Sequence, residues 1–72
     1  KCDNFPKNLE HLEINCNIFN DEIHNLPQKL KTMKLTVTNN KDITIYKCPP
    51  QLIGKIDFTN RINQSNTYIL EN

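Results

Sequence analysis

Few side chains in this sequence are placed to do chemistry. His11 stands between Glu10 and Glu13, and His24 stands alone between two apolar stretches, but the pattern puts no nucleophile beside either imidazole. A solvated polar surface accounts for Glu10, His11 and Glu13 together. The three cysteines, Cys2, Cys16 and Cys48, form no C-x-x-C pair, and neither histidine lies at metal-ligand spacing from them. Their odd number argues against a closed disulfide framework. It suits three small thiols kept reduced, which points to the cytoplasm. Gly54 is the one glycine, so no glycine-rich loop can cradle a phosphate. Nothing calls for a cofactor, and the chain reads as a non-enzyme. Asn63-Gln64-Ser65 matches a glycosylation sequon. In so asparagine-rich a chain one match is expected by chance, and it matters only in a secreted protein.

The elements that would hold these residues are small. Seventy-two residues with 36% hydrophobic content and a net charge of +1 sit near the lower limit for a self-sufficient core. The charge balance gives no reason to expect nucleic acid or an anionic membrane as a partner. No apolar run approaches the roughly 18 residues that span a bilayer. No signal peptide is visible. The chain starts at Lys1 rather than Met, which suggests that something precedes it.

Order emerges when the chain is aligned on proline. Pro6, Pro27 and Pro50 each precede a large apolar residue by three positions: Leu9, Leu30 and Ile53. Three further on come Leu12, Met33 and Ile56, then two further on Ile14, Leu35 and Phe58. The copies, spaced 21 and 23 residues apart, share the pattern P-x-x-L-x-x-L-x-L. Residues two apart on an extended chain point the same way. A period in the low twenties is the signature of a leucine-rich repeat, with one short parallel strand per unit. The expected fold is an α/β repeat solenoid of about three parallel strands near residues 11–15, 32–36 and 55–59. The repeat units are about 5–25, 26–48 and 49–72, a single segment of a longer array. Leu12, Ile14, Met33, Leu35, Ile56 and Phe58 should be buried. In the outward row, Glu13, Lys34 and Asp57 would alternate in sign across the sheet.

The return segments differ. Phe19, Ile23 and Leu26 are spaced for one turn of helix or a loose bend, whereas Ile43 and Ile45 alternate, leaving room for a short convex strand. Asn17 holds the place where such repeats put an inward asparagine that bonds the turn backbone. Thr38 and Arg61 are its equivalents. Arg61 could not serve without burying a charge, so the third unit is irregular there or Asn60 takes over with a one-residue shift.

The stretch NLPQKL-KTMKL, preceded by FNDEI, resembles the FNIP repeat, a leucine-rich-repeat subtype of social amoebae and amoeba-infecting giant viruses. The resemblance spans about residues 2–58 and is closest at Phe19, Asn20, Ile23, Leu26, Pro27, Leu30, Met33 and Leu35. It departs at Glu22, where the family often has proline, and in the second return, which lacks the Phe-Asn pair. LP-type repeats of bacterial secreted effectors are similar in strand pattern. The FNIP resemblance implies a binding module. Some family members carry an F-box and look like substrate adaptors of ubiquitin ligases, though no F-box is visible here.

Two roles follow. One is protein–protein interaction through the strand face, made of Glu10, His11, Glu13, Asn15, Lys31, Thr32, Lys34, Thr36, Lys55, Asp57 and Thr59. The partner would be a protein, with no nucleic acid or membrane involved. The alternative is a structural segment with no binding role of its own. In either case the edge strands should be covered by flanking chain or by another subunit.

Overall fold

The computed structural model describes residues 5–17 and 21–72. Six strands run through them: β1 (His11–Cys16), β2 (Glu22–Ile23), β3 (Thr32–Val37), β4 (Ile43–Tyr46), β5 (Ile56–Asn60) and β6 (Tyr68–Glu71). They form two three-stranded parallel sheets, ordered β1-β3-β5 and β2-β4-β6. Among the described residues there is no α-helix, only a short 3-10 turn at Pro50–Leu52. No helix there is long and apolar enough to cross a membrane.

The first sheet has the register that the proline alignment implies for its strands. Leu12 pairs with Met33 and Met33 with Ile56; Ile14 pairs with Leu35 and Leu35 with Phe58. The first return, expected as one turn of helix or a loose bend, is corrected, and with it the α part of the expected α/β class; the short strand expected at Ile43 and Ile45 of the second return is present as β4. Glu22 pairs with Thr44 and Thr44 with Ile69, so the returns make a second parallel sheet. The cause is local: Ile43 and Ile45 are β-branched, alternate with polar partners and are fully buried, which suits a strand with one face on a core. Of the first return, residues 18–20 lie outside the described set, so the expectations on Phe19 and Asn20 fall there.

The core lies between the sheets. Met33, Leu35 and Val37 of β3 meet Ile43 and Ile45 of β4, joined by Ile23, Leu26, Leu30 and Leu52. Leu12, Ile14, Ile56 and Phe58 pack against this cluster but are only half-buried, which corrects the expectation of full burial. They belong to β1 and β5, which have a neighbouring strand on one side alone. The ring of Phe58 meets Tyr68 edge-on at 5.4 Å, linking the two sheets at the β5-β6 end.

One residue of the repeat frame is misassigned by aligning Pro50 with Pro27. Leu30 N–H donates to Pro27 O and Leu52 N–H to Pro49 O, the same turn in two units. Leu52 is therefore the counterpart of Leu30 and is fully buried, while Ile53 is 59% exposed. The third unit accommodates the extra residue in an added turn: Lys55 N–H reaches back to Leu52 O, and Gly54 takes φ +83°. That left-handed backbone costs an L-residue roughly 1–2 kcal/mol and costs glycine nothing comparable.

The corrected frame makes a direct prediction. Leu52→Ala should cost about 2–5 kcal/mol by leaving a cavity, as should Leu35→Ala, whereas Ile53→Ala should stay within about 0.5 kcal/mol. Chemical denaturation of the three variants checks it. A large loss at Ile53 with none at Leu52 would restore the frame set by Pro50.

Candidate functional site

Period-two alternation in β1, β3 and β5 turns one set of side chains to the core and the other to solvent. The outward set comprises His11, Glu13 and Asn15 from β1, Thr32, Lys34 and Thr36 from β3, and Asp57 and Thr59 from β5, with Lys55 just ahead of it. All are exposed except Thr36, which is half-buried. The ladder brings them into rows: His11 beside Thr32, Glu13 beside Lys34 beside Asp57, and Asn15 beside Thr36 beside Thr59. The hydrogen bond from Met33 N–H to Lys55 O brings Lys55 next to the row of Thr32. The structure thus brings nine of the eleven residues singled out from sequence onto one side of one sheet; Glu10 and Lys31, exposed just ahead of β1 and β3, fall at the alternate positions with Leu12 and Met33.

Contacts within this face are polar and light. His11 Nδ1 and Thr32 Oγ1 share a hydrogen bond of 2.6 Å across the first row. Lys31 Nζ lies 3.5 Å from Glu10 Oε1, and both side chains are more than half exposed. So exposed a pair contributes about 0–1 kcal/mol and orients the side chains more than it stabilises the sheet. Between the rows lies a shallow hollow lined by Glu13, Lys34, Lys55 and Asp57 together with Leu12 and Met33, whose side chains turn to the core.

A second hollow, of about 490 Å³, escapes the sequence reading. Phe5, Leu26 and Pro27 form its apolar wall, and Lys7 and Lys47 stand at its rim. It lies at the proline corner and not on the strand face. Its parts come from three separate turns, and no spacing along the chain connects Lys7 with Lys47.

The corners themselves are built by carboxamides. Gln51 Nε2 donates to Gln28 O at 2.7 Å and to Leu30 O at 2.8 Å, tying the third unit to the second. At the opposite corner Asn60 is buried; its Nδ2 donates to Asn39 O at 2.9 Å, and its Oδ1 accepts from Asn39 N–H at 3.4 Å and Ile62 N–H at 3.0 Å. Asn39, also buried, donates through Nδ2 to Asp21 Oδ1 and Lys41 O. Of the two alternatives for the third unit, the one-residue shift to Asn60 is the one observed. Asn17, Thr38 and Arg61 are exposed, so the inward role passes to Asn39 and Asn60. The physical reason is the frame: Asn60 follows Ile56 and Phe58 at steps of two and so points inward with them.

The remaining chemistry-bearing groups are dispersed. His24 is on the other sheet's side, its Nε2 2.9 Å from Glu22 Oε1 and its ring stacked on Tyr46 at 4.6 Å. Cys16 is disulfide-bonded, which corrects the expectation of three reduced thiols. Cys2 lies outside the described residues. Cys48 is a free, half-buried thiol, and burial pushes its pKa up, opposite to the shift that activates a nucleophilic cysteine.

No family model, no curated protein and no solved structure matches this chain.

The middle row can be tested electrostatically. Lys34→Glu sets a third carboxylate between Glu13 and Asp57, with strands roughly 4.8 Å apart. It should destabilise by about 1 kcal/mol at low salt, and by less when ions screen the exposed charges. Unfolding at low and high ionic strength checks this; a loss independent of salt would mean that these three side chains do not interact.

Proposed function

We propose that the chain is a segment of a leucine-rich-repeat solenoid, non-catalytic, whose β1-β3-β5 face binds a protein partner. The single observation that supports this reading most is the face itself: polar side chains from three units, held in register rows on a parallel sheet, the middle row alternating in charge. Such a surface is broad and preorganised, so a partner would lose little conformational freedom of this chain on binding. Glu13, Lys34, Lys55 and Asp57 offer charged groups that select register and orientation. The resemblance to FNIP repeats supports the same reading, with substrate recognition in an adaptor as its most specific form.

The structural-segment reading also has an observation in its favour. Ile53, Ile62, Ile69 and Leu70 are exposed, all of them around β5 and β6, where each sheet has an open edge. Further chain or another subunit would cover them.

Affinity capture separates the two. The combined variant His11→Ala, Glu13→Ala, Lys34→Ala should lose a partner that the parent chain retains, while Lys41→Ala with Glu71→Ala, away from this face, should keep it. A partner lost only when Ile62 and Ile69 are replaced by serine would place recognition at the β6 end and favour the structural reading.

A further inference from the structure

The sequon at residues 63–65 is the motif that the proposed function leaves unused. By sequence it decides nothing: with twelve asparagines and seven serines and threonines among 72 residues, about one such triplet arises by chance. The structure adds two independent observations. The first is the conformation and placement of the triplet. The second is the disulfide at Cys16.

Asn63, Gln64 and Ser65 are all exposed, in the loop from β5 to β6. The loop is anchored on both sides of them. Ile62 N–H donates to Asn60 Oδ1, and Thr67 N–H donates to Asp42 Oδ1 at 2.9 Å. Between these anchors the triplet closes on itself. Asn63 Oδ1 accepts from Ser65 N–H at 3.0 Å and from Ser65 Oγ–H at 2.7 Å, while Asn66 N–H donates to Asn63 O at 3.1 Å. Two donors on one amide oxygen draw electron density toward it and make the Nδ2 protons more acidic. Among the described residues no hydrogen bond occupies that Nδ2. The hydroxyl supplies the shorter of the two bonds to Asn63 Oδ1. All these bonds span three residues or fewer, so the arrangement can form in a nascent chain before the sheets exist.

The disulfide at Cys16 bears on the compartment. Disulfides form and persist in oxidising surroundings and are rare where glutathione keeps thiols reduced. Those are the same surroundings in which asparagine-linked sugars are transferred.

We propose that Asn63 is the acceptor of an N-linked oligosaccharide when the chain is carried into an oxidising secretory compartment. The donor is a lipid-diphosphate-linked oligosaccharide. The amide Nδ2 of Asn63 bonds to C1 of the first sugar and gives up one proton. The C1–O bond to the diphosphate breaks, and the lipid diphosphate leaves with the bonding electron pair. No group changes oxidation state. The fold accommodates the product without rearrangement, because the loop is at the surface and its anchors, Asn60 and Asp42, are separate from the amide that is modified.

Translation of the full chain behind a cleavable secretion signal, with endoplasmic-reticulum microsomes, tests this in the protease-protected fraction, whether or not each variant folds. The parent chain should gain one discrete mass increment, removed by peptide N-glycosidase with aspartate left at position 63. Asn63→Gln and Ser65→Ala should abolish the increment, and Ser65→Thr, which keeps the hydroxyl, should preserve it. Alkylation of the same material should reach Cys16 only after reduction. A protected parent chain with no increment, an increment that survives Asn63→Gln, or a Cys16 alkylated without reductant would overturn the proposal.

Discussion

The structure depends on what happens at its corners. A chain that alternates between two parallel sheets must leave each sheet after only two to six residues. At each departure, backbone N–H and C=O groups lose their ladder partners while still close to the core. Side-chain carboxamides solve this, since one asparagine or glutamine both donates and accepts. Gln28 and Gln51 serve the proline corner, and Asn39 and Asn60 serve the opposite one. Two of these four residues, Gln51 and Asn60, reach backbone in a neighbouring unit, so groups that satisfy the turns also hold units in register.

The rest of the stability is unevenly distributed. β3 and β4 have a strand on each side and supply five fully or nearly fully buried side chains, while β1 and β5 give half-buried ones. Few local contacts are available, because every ladder pairs residues at least 21 positions apart. Loop closure must therefore precede the gain from burial, which makes this an intrinsically slow topology for its size.

The proposed binding face and the proposed sugar acceptor are at different places in the fold. The face is the outward side of β1, β3 and β5, whereas Asn63 lies in the loop beyond β5. A chain with a glycan there would keep the outward rows of the sheet available. An extracellular or luminal partner would be consistent with both readings, and with mixed, salt-sensitive recognition rather than a large apolar contact.

The inward row of the first sheet was legible in the sequence because strand geometry is local. Leu12 and Ile14, Met33 and Leu35, Ile56 and Phe58 must share a side if extended, and equal spacing from a proline places them alongside one another. The polar rows followed, since the residues between them can only point outward. Three things needed the tertiary structure. Whether Leu52 or Ile53 continues the frame depends on an added turn at Gly54, and the Pro-Pro pair allows either alignment. Whether the first return is helix or strand depends on packing against its neighbours, since the spacing of Ile23 and Leu26 fits a helical turn as well as a bend, whereas the alternation of Ile43 and Ile45 already pointed to a strand. The state of Cys16 and the hollow between Lys7 and Lys47 depend on which distant turns meet. Sequence spacing fixes direction along a strand, but only closure of the chain fixes neighbours across it.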